Sequence, residues 1–262
     1  MLRRLLLPLT LIGALAATVA VFAPSVVAAT NACPSGGTPA PGSTVKGGLE
    51  VDGTCILNNV TVNGGITVDA TGHLQFYNGS TANGGITVNP GGELDVNALT
   101  NGNGTPTGTT STINGGINFN SGTVGGSDAD IWTATIHGGF NFTGNFPLFS
   151  NNTFNFPVIC GNDISGAVTV SNVTTFGTLF FGDPDGPGGC PGNTIHGSLS
   201  LTNTASTASQ DEFESNTISG SVFLNASKTQ LNGNTIGGNV NCTNGAVILP
   251  GEAGDPASNT CS

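Results

Sequence analysis

Apolar and polar residues along this chain fall into one recurring seven-residue frame. It reads VKGGLEV at 45–51, VNGGITV at 62–68, ANGGITV at 82–88, INGGINF at 113–119 and IHGGFNF at 136–142, then ISGAVTV at 164–170, IHGSLSL at 195–201, ISGSVFL at 218–224 and IGGNVNC at 236–242. The first, fifth and seventh positions are apolar, with Ala82 and Cys242 the mildest members. The third is always glycine, and the fourth is Gly, Ala, Ser or Asn. Alternation over positions five to seven predicts a strand with one buried face, because successive strand side chains point to opposite sides. Position one belongs to a short preceding strand. The small pair between them predicts a corner, where glycine adopts backbone angles that a Cβ forbids.

Copies begin 17 to 31 residues apart, a solenoid spacing and mostly too short for a helix-containing crossover of about 30 residues or more. No helical period appears between copies, where Asn, Gly, Thr and Pro dominate. The pattern therefore predicts an all-β, single-stranded parallel β-helix of about nine coils, right-handed by the crossover rule. At about 4.8 Å per coil the rod is about 40 Å long. Its inward columns run from Val45 to Ile236 and from Leu49 to Val240, each large side chain contributing about 1.5–3 kcal/mol on burial. Asn162, Asn193, Asn216 and Asn234 each stand two residues before position one. They are expected to stack their amides along the rod.

The first residues change where this rod is placed. MLRRLLLPLTLIGALAATVAVFAPSVVAA joins a basic start to an apolar run and a small-residue end, the pattern of a secretory signal peptide cleaved after Ala29. The expected organisation is a signal peptide at 1–29, a leader or cap at 30–44, the β-helix at 45–242 and a C-terminal cap at 243–262. No second apolar span follows. Thr30 is wrong for lipidation at Cys33, and Leu249-Pro250-Gly251-Glu252-Ala253 lacks the threonine and tail of a wall-sorting signal.

The full chain carries a formal charge of −11, and removal of Arg3 and Arg4 leaves two lysines, Lys46 and Lys228, against 15 acids, or −13. Such a surface repels nucleic acid and anionic lipid, which bind through Lys and Arg. Cys33, Cys55, Cys160, Cys190, Cys242 and Cys261 form an even set without a CxxC pair, which favours disulfides over a zinc site. Of the 15 possible connectivities, the sequential one pins both ends: Cys33 with Cys55 closes the first coil and Cys242 with Cys261 holds the last residues over the final one. Cys160 and Cys190 share a phase one coil apart.

Few residues invite chemistry. His137 and His196 occupy position two, where other copies carry Lys, Asn, Ser or Gly, so both are expected to face solvent. His73 has no visible partner. Asp128-Ala129-Asp130, Asp183-Pro184-Asp185 and Asp211-Glu212-Phe213-Glu214 lie between copies and are expected to be solvated acidic loops. Asp183 and Asp185 are the weak calcium candidates among them. No 12-residue calcium loop, RTX repeat or cofactor motif is present. The mature chain lacks the arginine a polysaccharide lyase of this fold would use. Position six gives an outward polar column, Glu50, Thr67, Thr87, Asn118, Asn141, Thr169, Ser200, Phe223 and Asn241, suited to glycan or ice contacts. In the Phe-rich stretch 140–156, Phe140 and Phe142 fall in inward columns.

The Asn-Thr-Ile-x-Gly-Gly/Ser units over 160–262, closing in GNTIGGNVNC and NTCS, resemble exported actinobacterial repeat proteins of unassigned function. The Gly-Gly-Ile-x-Val rhythm is also similar to bactofilin-type polymer-forming β-helices. The first resemblance implies an exported repeat protein, and the second implies a β-helix that self-associates. The expected role is a secreted, non-enzymatic structural or adhesive protein at the cell surface or wall, with cell-envelope glycans or further copies as partners. The alternatives are a carbohydrate-active β-helix enzyme using loop acids, or a glycan- or ice-binding module.

Overall fold

The structure, a computed structural model, describes residues 31–33, 38–98, 108–122, 128–144, 157–173, 178–185, 189–204, 211–251, 255 and 257–262. The expected signal peptide and the stretch 145–156 lie outside the described residues. The chain is a parallel β-helix. Each circuit passes through a two-residue strand, the small-residue corner, a longer strand, a second corner and a third strand, so stacked circuits build three parallel sheets. Among the described residues the first sheet holds ten strands, from Asn31–Cys33 and Leu49–Val51 through to Val240–Thr243. The second holds nine, from Thr54–Asn58 to Val247–Leu249, and the third holds nine two-residue strands, from Thr44–Val45 to Thr235–Ile236.

Stacking is in register with the sequence frame. Leu49, Ile66, Ile86, Ile117, Phe140, Val168, Leu199, Val222 and Val240 are successive partners, and Val62, Ala82, Ile113 and Ile136 follow the same rule in the third sheet. These columns are buried together with the inward residues of the second sheet, such as Leu57, Phe76, Val96, Ile131, Phe181 and Leu231. Phe119 stacks on Phe142 (5.1 Å between rings) and Phe181 on Phe213 (5.4 Å), so aromatic rings stack along the rod axis as the backbone does.

The frame glycines are needed for a reason other than the expected one. Gly47 has a left-handed backbone (φ 86°), but the other position-three glycines do not. Their constraint is close approach: a Cβ on Gly64 would stand 2.6 Å from the Gly47 carbonyl carbon, one on Gly166 2.6 Å from the Gly139 nitrogen, and one on Gly197 2.7 Å from the Ala167 nitrogen. Backbone sits on backbone here, and the amides of Gly84, Gly166, Gly220 and Gly238 donate to Gly64, Gly138, Gly197 and Gly220 of the preceding coils at 2.9–3.0 Å. Left-handed residues instead mark the other corners, and among the described residues six of the nine that are not glycine are Asn: Asn59, Asn78, Asn97, Asn172, Asn203 and Asn244. Asparagine tolerates that region better than other side chains.

The expected amide stack is continuous. Asn162, Asn193 and Asn216 each donate from Nδ2 to Oδ1 of the next member, Asn193, Asn216 and Asn234, at 2.9–3.0 Å. The same oxygens accept from the backbone N–H of Asn162, Asn193 and Asn216, and each Nδ2 also donates to a carbonyl of the second sheet. Thus buried amides satisfy corner groups that no strand partner reaches. Asn259 of the C-terminal segment extends the stack by accepting from Asn234 Nδ2 at 3.2 Å. The disulfides join Cys33 to Cys55, Cys160 to Cys190 and Cys242 to Cys261, with Cα separations of 5.8, 5.1 and 5.7 Å. The first ties the strand Asn31–Cys33 across the core to Thr54–Asn58, and the last holds the chain end over the final coil. Three disulfides point to an oxidising compartment.

Gly166→Ala is expected to lower the unfolding free energy by about 1–3 kcal/mol, the usual cost of forcing atoms into packed structure. Ser165→Ala, one residue earlier and exposed, should stay within about 0.5 kcal/mol. Urea unfolding of both variants measures the contrast, and equal effects would show that backbone stacking is not the constraint.

Candidate functional site

Two outward columns run the length of the rod. The position-six residues Glu50, Thr67, Thr87, Asn118, Asn141, Thr169, Ser200, Phe223 and Asn241 are successive register partners on the first sheet. Phe223 is its one exposed large apolar side chain. The third sheet adds a column that the frame did not include: Thr44, Thr61, Thr81, Thr112, Thr135, Asp163, Thr194, Thr217 and Thr235. The signal was present one residue upstream of position one, where eight of nine copies carry threonine. Beside it, position-two amides form their own ladder, with Asn114 donating to Asn83 (2.9 Å) and Asn83 to Asn63 (3.0 Å). His137 and His196 are exposed in this row. His196 Nε2 lies 2.8 Å from Asp163 Oδ1, with both side chains about half exposed (51% and 56%), a pair of small energetic weight.

The acids depart from expectation. Asp128 and Asp130 lie on the second-sheet strand Asp128–Trp132, Glu214 ends the strand Asp211–Glu214, and Asp183 follows Phe180–Phe181. Asp130, Asp183, Asp211 and Glu214 are buried rather than solvated. On the outside of this sheet Trp132, Val158, Cys160, Phe180 and Cys190 form a partial second layer, with Ala98 against them, whereas Asp211 lies on the core side with Phe213 and accepts from the Leu179 N–H at 3.2 Å. His73, which showed no partner in sequence, has two. Its Nε2 lies 2.7 Å from Asp95 Oδ2 and its Nδ1 3.4 Å from Glu93 Oε2. Register explains both contacts, since His73, Glu93 and Asp128 are successive partners in one column and Gln75, Asp95 and Asp130 in the next.

The hydrogen bond to Asp95 raises the His73 pKa above the usual imidazole range, against the opposing effect of burial. Burial raises Glu93. It also pushes Asp128 up to about 7, helped by the Asp95 charge, and Asp130 up to about 8, helped by Asp128 and Asp95. Desolvation and like charges act in the same direction here.

The calcium candidates Asp183 and Asp185 come together with a residue that sequence reasoning had not joined to them. Ligand atoms of Asp183, Asp185 and Glu214 lie within 4.8 Å of one another. Gly182 N–H donates to the carbonyl of Ile159, Glu214 N–H to that of Gly182 and Asp183 N–H to that of Cys190, so the coil ladder and the Cys160–Cys190 bridge fix the backbone that carries the acids. Glu214 Oε1 accepts from Asn232 Nδ2 at 2.8 Å, and burial pushes the Glu214 carboxyl up to about 7. Three carboxylates from two adjacent coils are the donor chemistry of a hard divalent cation. No helix among the described residues is long and apolar enough to cross a membrane. Comparison with models of known protein families, with characterised proteins and with solved structures finds no match.

Raised acids favour the fold while protonated, so their contribution is complete below their unfolded pKa near 4 and is lost as pH rises through about 7 and 8. With chelator present, the melting temperature should fall between pH 5 and pH 9. Asp130→Asn should flatten that fall, and an unchanged slope would contradict the placement of Asp130 in a buried acid strip.

Proposed function

We propose that this is an exported, non-enzymatic structural or adhesive protein of the cell surface, whose polar sheet faces contact cell-envelope glycans. The observation that carries the reading is the pair of outward columns, each in a single register over nine coils. Threonine suits such a face because its branched side chain is stiff at χ1 and its short hydroxyl loses little freedom on binding. Repetition then multiplies weak contacts, since every further coil engages at high effective concentration. The charge balance favours neutral glycans over nucleic acid or anionic lipid. The three disulfides fit a chain that works outside the cell.

A carbohydrate-active enzyme is the second reading, favoured by one observation. Glu214, raised to about 7 by burial, stands beside Asp183 and Asp185, and a carboxyl group that keeps its proton near neutral pH is the general acid that glycoside hydrolysis uses.

Co-sedimentation of the mature chain with insoluble cell-envelope glycan tests both. Retention is expected, and replacing Thr81, Thr112 and Thr135 together by valine should weaken it about tenfold or more, at roughly 0.5–1.5 kcal/mol per hydrogen bond lost. Absence of retention on any glycan overturns the adhesive reading. Release of soluble sugar, abolished by Asp183→Ala, overturns the non-enzymatic one.

A further inference from the structure

The outer face of the first sheet changes along the rod. In the first three copies its strands end at position seven, as Leu49–Val51, Ile66–Val68 and Ile86–Val88. From the fourth copy they run at least one residue further, from Ile117–Gly122 to Val240–Thr243. That added residue is position eight. Asn120, Thr143, Ser171, Thr202, Asn225 and Thr243 are successive register partners there. They face outward, because the position-seven residues that alternate with them, such as Phe142, Val170 and Leu201, are in the core. Positions six and eight therefore form two outward columns, about 6.6 Å apart along the strand, side by side over the last six copies.

Charge follows the same division. The acids at these two positions, Glu50, Asp52 and Asp69, all lie in the first two copies, and from Asn118 on both columns consist of Asn, Thr and Ser apart from Phe223. Phe223 is 46% exposed, whereas Phe119, Phe142, Phe181 and Phe213 are in the core. A lone exposed ring is ordinary on a protein surface. This one interrupts a polar column, between its register partners Ser200 and Asn241 on the adjacent coils, with Asn225 two residues along the same strand. Such a setting suits a sugar ring. The C–H groups on one face of a pyranose pack on the aromatic face, which carries partial negative charge, while its equatorial hydroxyls meet hydroxyl and amide groups that both donate and accept.

We propose that this double column seats an uncharged, extended β-1,4-linked polysaccharide along the rod axis, with one sugar stacked on Phe223. This ligand class and anchor rest on the glycan-contact reading above. Coils repeat about every 4.8 Å, and an extended β-1,4-linked chain advances by nearly that much per sugar, so successive rings meet successive pairs of side chains. An α-1,4-linked chain coils and loses the match. Charge selects in the same direction: the double column is neutral on a strongly acidic chain, which repels anionic polymers and leaves neutral ones free to approach. Contacts repeated once per coil add at high effective concentration, so affinity grows with the number of sugars.

Titration calorimetry of the mature chain with chitobiose, chitohexaose and maltohexaose tests the proposal. Chitohexaose should bind at least tenfold more tightly than either of the others. Phe223→Ala should weaken chitohexaose binding about tenfold or more, since an aromatic anchor carries a large share of an interface. Its melting temperature should be unchanged, since the ring lies outside the core. Phe223→Trp should keep the affinity and add an exposed indole whose emission shifts as the sugar docks. Wild-type affinity in Phe223→Ala, equal binding of maltohexaose, or no gain from chitobiose to chitohexaose overturns the proposal. So does a chain that co-sediments with cell-envelope glycan yet ignores chitohexaose, a result that leaves the adhesive reading standing. Failure to sediment with any glycan overturns that reading and this one together.

Discussion

Every part of this molecule depends on the requirement that each circuit of the chain return to the same phase. Only then does the N–H of one coil meet the C=O of the next. Backbone amides at the glycine corners donate directly to the coil behind them, and at such a crossing there is no room for a side chain. From Asn162 onward the opposite corner solves the same problem with side chains, where buried asparagines bond to one another and to the backbone. One corner is closed by removing atoms and the other by adding amides. Between them the core columns align without further instruction.

Register also makes the surface. A residue type that recurs once per coil becomes a continuous row, which is how isolated threonines turn into a face on the third sheet and polar position-six residues turn into one on the first. The second sheet behaves differently because its outer face is covered by Trp132, Phe180 and the Cys160–Cys190 bridge. Acids placed there lose water and meet one another. The same stacking that gives two faces an even polarity gives this one a concentration of buried charge.

Much of this was legible in the sequence. The seven-residue frame encodes two of the three sheets, the core columns and the glycine corner, and the Asn-Thr-Ile units encode the amide stack. The third strand of each coil was not legible as a column, because the segment that holds it varies in length between copies and carries apolar residues such as Val158 and Phe180 on its outer side. Hydrophobic alternation fails when both faces are covered. For the same reason Asp128, Asp130 and Glu214 read as loop acids. The partners of His73 lie 20 and 22 residues away, so no local motif contains them. The glycines were placed correctly for an incomplete reason: the sequence shows that a side chain is forbidden but not that a neighbouring coil forbids it. The threonine column was in plain view, one residue outside the frame used.

Residue-resolved amide exchange, before and after reduction of the disulfides, tests the account most directly. A coil-by-coil ladder with pinned ends predicts protection that recurs in every circuit from Leu49 to Thr243. Reduction should release Asn31–Cys33, Thr54–Asn58 and Val240–Thr243 first, while Val168–Ser171 and Leu199–Thr202 stay protected. Protection confined to one unbroken block of sequence, or interior strands that exchange as fast as the ends after reduction, would contradict it.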